Sequence, residues 1–143
     1  MDDLAIIGID RLAGRRLRIG NVAWVSDESE YSRCWWRSLR DDLDDRYVRS
    51  KDSQRSIIEL AAIYGRIPGL HRERVNEELL DWLESDDERL RYDALYIVGA
   101  YSIVEAIPRL RALQERLEVD SQPGAPYEWS KVNRILGNLK ADG

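Results

Sequence analysis

The sequence predicts an all-α chain, mainly a short stack of paired helices. Three observations carry that expectation. Apolar residues recur at helical spacing in several separate stretches. The chain has no Phe and no Thr among its 143 residues, which depletes the strand formers. A segment also repeats at an offset of 35 residues, the period of helical-repeat architectures. The length supports a single domain over 1–143, and 43% hydrophobic with 34% charged residues is a folded composition.

The first 26 residues predict an N-terminal cap or hairpin. Leu4, Ile7 and Leu12 before Gly14 fit a short helix; Leu17 and Ile19, Gly20-Asn21, then Val22 and Trp24 fit a small hairpin. From Glu28 to Tyr47, Tyr31, Trp35, Leu39 and Leu43 form an i+4 ladder on one helix face, with Asp27 and Glu30 at capping-box spacing. The next helix spans about Ser53 to Tyr64, with Ile57, Ile58, Ala61, Ala62 and Tyr64 inward. Gly65 ends it and Pro68 blocks its restart. A third helix, about His71 to Glu84, carries Val75, Leu79, Trp82 and Leu83.

Ser85-Asp86-Asp87-Glu88 reads as a capping box for a fourth helix with Leu90, Ala94, Ile97, Val98 and Tyr101 on one face. Pro108 must lie in a first helical turn, which places the fifth helix from about Glu105, burying Ile107, Leu110, Leu113 and Leu117. Glu118 to Pro126 is a loop. A last helix, 127–140, carries Trp129, Val132, Leu136 and Leu139.

Ser50–Gly65 overlays Ser85–Ala100: Ser50 meets Ser85, Asp52 meets Asp87, and Leu60 meets Leu95. This defines helix-pair repeats at 50–84 and 85–118, with 127–140 as a capping helix. Residues 86–114 resemble a HEAT-like repeat, in that Arg91, Ala94, Gly99 and Pro108 fall at the positions where that pattern has its Arg, its Ala, its helix-closing small residue and its Pro. The copy at 50–84 matches less fully, through Arg55 and Gly65. The resemblance implies a solenoid scaffold that binds macromolecules, with its second helices (28–47, 71–84, 105–118) lining a concave face.

Composition narrows the function. Cys34 is the only cysteine and His71 the only histidine, which removes disulfides, Cys/His zinc sites and Ser-His-Asp or Cys-His catalysis. No Walker loop, GxGxxG, HExxH or EF-hand pattern occurs. No catalytic residue, metal or other cofactor is expected, and the chain reads as a non-enzyme. Arginine outnumbers lysine nineteen to three, as a GC-rich genome produces or as guanidinium recognition would use. No apolar run reaches about 18 residues, so no transmembrane helix is expected. The opening Met1-Asp2-Asp3-Leu4 lacks the basic start of a signal peptide, so the expected location is cytoplasmic.

Net charge is −5 and unevenly spread: residues 26–50 hold seven acids against five bases, and 81–120 hold ten against five. An acidic middle argues against nucleic acid and suits a basic protein surface. The expected partner is therefore another protein with a basic surface, with neither nucleic acid nor membrane. Two acidic groups are candidates: Asp41, Asp42, Asp44 and Asp45, and the i, i+4, i+7 stripe Glu77, Asp81 and Glu84. Each is either a solvated face or a docking patch. Trp36 points about 100° from Trp35, so it packs on an adjacent helix or stands as an interface anchor. Tyr92 and Tyr96 are further anchor candidates or a half-buried rim. His71 and Cys34 read as structural.

The leading expectation is a protein-binding module, most concretely an acidic, immunity-type inhibitor of a basic toxin domain. A general HEAT-like adaptor or scaffold is the second. A HEAT-like DNA-repair enzyme is third, opposed by the lack of a basic groove.

Overall fold

The computed structural model describes residues 28–47 and 54–142, and they are all-α. Six helices follow in order: α1 Glu28–Tyr47, α2 Arg55–Tyr64, α3 Gly69–Leu83, α4 Glu88–Tyr101, α5 Ile107–Glu118 and α6 Ala125–Asp142, with a 3-10 turn at Val104–Ala106 before α5. The cap or hairpin expected over 1–26, and the Asp27 cap, lie outside the described residues. No helix among the described residues is long and apolar enough to cross a membrane.

Two compact units divide between Glu78 and Leu79, inside α3. In the first, α1 packs against α2. Its buried apolar residues include Trp35, Trp36, Leu43, Ile57, Leu60, Tyr64, Ile67 and Val75. The inward face of α2 differs from the expectation. Leu60 is buried, whereas Ile58 is 50% exposed and Ala62 is exposed. Ile57, Leu60, Ala61 and Tyr64 follow the i, i+3, i+4, i+7 rhythm of a single stripe, and Ile58 and Ala62 fall beside it. Gly65 closes α2 in ordinary right-handed geometry (φ −63°), so its amide bond to the Ala61 carbonyl does the capping, not glycine's left-handed freedom.

In the second unit, α6 packs against both α5 and α4. Leu95, Ile97, Val98, Leu110, Leu113, Val132, Leu136 and Leu139 fill its interior. The α4 cap is Asp87, not Ser85. Asp87 is extended (φ −80°, ψ 110°) and accepts from the Arg89 amide, while Ser85 Oγ accepts from the Asp87 amide. Pro108 sits in the first turn of α5, which starts at Ile107; the 3-10 turn fills the span expected to begin that helix. α6 starts at Ala125, earlier than expected, because Pro126 is tolerated in a first turn.

Gly99 does not close α4. The helix runs on to Tyr101, itself 40% exposed and not inward as expected. At Gly99 a Cβ would stand 3.4 Å from Ile135 Cγ1, an ordinary van der Waals contact. Closure falls to Ser102, at φ 52° and ψ 54°, the one positive-φ non-glycine among the described residues. Left-handed geometry costs a residue with a Cβ about 1 kcal/mol. Ser102→Gly is therefore expected to raise stability by about 0.5–1 kcal/mol in thermal unfolding. No gain would mean that the serine's own interactions offset the strain.

Candidate functional site

Three groupings of polar and aromatic side chains stand out, each within one unit. On α1, Asp41, Asp42 and Asp45 are exposed and Asp44 is half-exposed. Arg40 Nη1 donates to Asp41 across 3.3 Å. Asp41 and Asp45 are i, i+4 neighbours, and all four acids lie toward the negative end of the helix dipole. Each effect costs tenths of a kcal/mol, and the fold tolerates it because water solvates these carboxylates.

The same helix carries a network nearer its N-terminus, where Glu30, Cys34 and Arg37 continue the stripe of Asp41 and Asp45 at i+3 and i+4 spacing. Glu78 of α3, 4% exposed, accepts from Arg33 Nε and Arg37 Nη1, both at 3.0 Å. Arg37 also donates to Glu30 and to Cys34 Sγ, and the Cys34 thiol donates to Glu30. Burial, then the Glu30 bond, pushes the Cys34 thiol pKa up, which keeps it a protonated structural group. The Cys34 bond, then that of Arg37, holds Glu30 below the ordinary 4.5. A lowered carboxyl stabilises the fold fully above the unfolded value and loses that contribution as pH falls through the folded one. Glu30→Gln is accordingly expected to flatten the decline in stability between about pH 5 and 3, read by denaturant midpoints. An unchanged slope would refute it. His71 Nδ1 lies 2.8 Å from Ser32 Oγ.

Arginines occupy both ends of the second acidic stripe. Glu77 is held by Arg74 at 2.8 Å and Arg33 at 3.9 Å, and Glu84 by Arg109 at 3.2 Å. Asp81 is exposed. Trp36 takes the packing option and is no surface anchor. It is 0% exposed, edge-on to Tyr64 of α2 at 6.1 Å and tilted against Trp35 at 6.1 Å. The α1 stripe is wide enough for both indoles, because α2 brings an aromatic to the flank where Trp36 emerges.

The third grouping joins α4 to α6. Tyr92 is half-buried, Tyr96 is 40% exposed and Tyr127 is 74% exposed. Lys131 Nζ stands 4.2 Å from the Tyr92 ring centre and 5.5 Å from that of Tyr127. Beneath, Arg91 makes a two-pronged bond to Glu128, Nε to Oε2 at 2.7 Å and Nη2 to Oε1 at 3.0 Å, with both residues buried. Its third nitrogen donates to the Ser85 carbonyl at 2.9 Å. Arg116 reaches the same turn, donating to Asp86 at 2.8 Å. The Glu128 bonds raise the Arg91 pKa, so the guanidinium stays charged.

The sequence reading missed Lys131, Tyr127 and Glu128. Tyr127 and Lys131 sit at i, i+4 spacing, which was a readable sign of a shared helix face. Their meeting with α4 is tertiary and left no mark in the sequence. No known protein family, curated protein or solved structure matches this chain.

Proposed function

We propose that the chain is a non-enzymatic protein-binding module on a HEAT-like helical scaffold. Its most concrete form is an acidic, immunity-type inhibitor that neutralises a basic toxin domain. The observation that carries this reading is the exposed carboxylate face of α1, where Asp41, Asp42 and Asp45 stand in solvent on a chain of net charge −5. Such a face attracts a basic enzyme over distance and speeds encounter. Glu77 and Glu84, each paired with arginines, contribute less negative field.

The test compares the tagged full chain with the Asp41→Asn, Asp42→Asn, Asp45→Asn triple variant on host lysate, eluted by a salt gradient. The expected result is one basic protein, released by salt and lost from the triple variant. With the purified partner, association at low salt should slow by about tenfold or more. Equal retention by both forms, or release that ignores salt, would overturn the inhibitor reading.

The Tyr92, Tyr96 and Tyr127 surface favours a second reading, an adaptor that binds through aromatic anchors. Tyr96→Ala should then weaken binding more than the triple Asn variant does.

A further inference from the structure

We propose that Tyr92 and Tyr127 form a cation seat, filled in the free chain by Lys131, which a lysine or arginine side chain of a basic partner enters as Lys131 swings out. This rests on the reading above that the partner is basic. Two ring faces converge on one ammonium from different helices, at 4.2 Å and 5.5 Å. Ring faces carry negative quadrupole potential and favour a cation over an anion or a neutral group. The cleft around them is lined by Glu88, Tyr92, Leu95, Tyr127, Glu128 and Lys131, with an apolar wall at buried Leu95. Glu128 is committed to Arg91, and exposed Glu88 adds negative potential.

Only about 40 Å³ remains open there, so an incoming cation must replace the Lys131 ammonium and cannot join it. Lys131 is suited to leave. Its four-carbon stem is flexible, and the seat is half-open through Tyr127. Burial, then the charge of Arg134, holds its pKa below the ordinary lysine value. A partner cation carried on a docked surface would meet the same rings without the constraint of the Lys131 backbone.

The test uses full-length chain and tetramethylammonium chloride, a cation that rings hold and that donates no hydrogen bond. Lys131→Ser empties the seat. Its Tyr92 and Tyr127 ring resonances are expected to shift saturably with tetramethylammonium and not with sodium chloride at equal ionic strength. Wild type should need at least about tenfold more. Tyr127→Ala in the Lys131→Ser background, at a residue too exposed to threaten folding, should abolish the Tyr92 response. Rings that ignore tetramethylammonium, respond equally to sodium, or respond unchanged without Tyr127 would overturn the seat. The triple Asn variant should leave this titration unaltered, so failure of the α1 surface and failure of the seat are read separately.

Discussion

Replacing Glu128 by alanine is expected to remove about 3–5 kcal/mol of stability, measured by urea unfolding at neutral pH. The reason is the residue left behind. Arg91 is 6% exposed and Glu128 8% exposed, and their two-pronged bond joins α4 to α6. Without the carboxylate, a guanidinium stays in the interior with the Ser85 carbonyl as its remaining acceptor among the bonds described. Arg91→Met alone should cost similarly, because it strands the carboxylate. Replacing both with apolar residues, Arg91→Met with Glu128→Leu, should recover most of the loss. A single-variant cost below about 1 kcal/mol would show that water reaches the pair and screens it.

The second large effect is expected at Trp36. Truncation to alanine should cost about 3–5 kcal/mol, through lost burial and the cavity left beside Tyr64. Trp36→Phe, which keeps an aromatic against the Tyr64 edge, should cost clearly less. An indole at the surface would behave differently: truncation would then move stability by only about 0.5 kcal/mol. Thermal unfolding of the two variants separates the cases.

Much of the helical plan was legible because periodicity reports burial directly. Leu110, Leu113 and Leu117 of α5, and Val132, Leu136 and Leu139 of α6, are buried where their spacing put them. Pro108 marked a first turn for the simple reason that it lacks an amide hydrogen. Errors arose where a residue's role depends on a neighbouring helix. Gly99 matches the place of a helix stop in the repeat pattern, yet α4 runs past it and closes at Ser102. Trp36 lies off the ladder of α1, and only the position of Tyr64 decides that it is core.

The same limit governs the candidate sites. Asp41 and Asp45 are exposed away from the apolar ladder, but Asp42, seven residues after Trp35, is exposed although its spacing puts it on the ladder's face. The arginines that occupy Glu77 and Glu84 come from other turns and other helices, and a one-dimensional stripe cannot show them. Arg91 was noticed as part of a repeat pattern, but its acceptor lies 37 residues onward.

That separation sets an order of events on the growing chain. Arg91 leaves the ribosome 37 residues ahead of Glu128, an interval of about 2–7 s at ordinary rates of synthesis. Throughout it, the Arg91 guanidinium lacks the carboxylate that it pairs with in the finished fold. Arrival of α6 supplies the carboxylate and the apolar cover together. The ion pair is thus a contact that the chain can complete only once its last helix has been made.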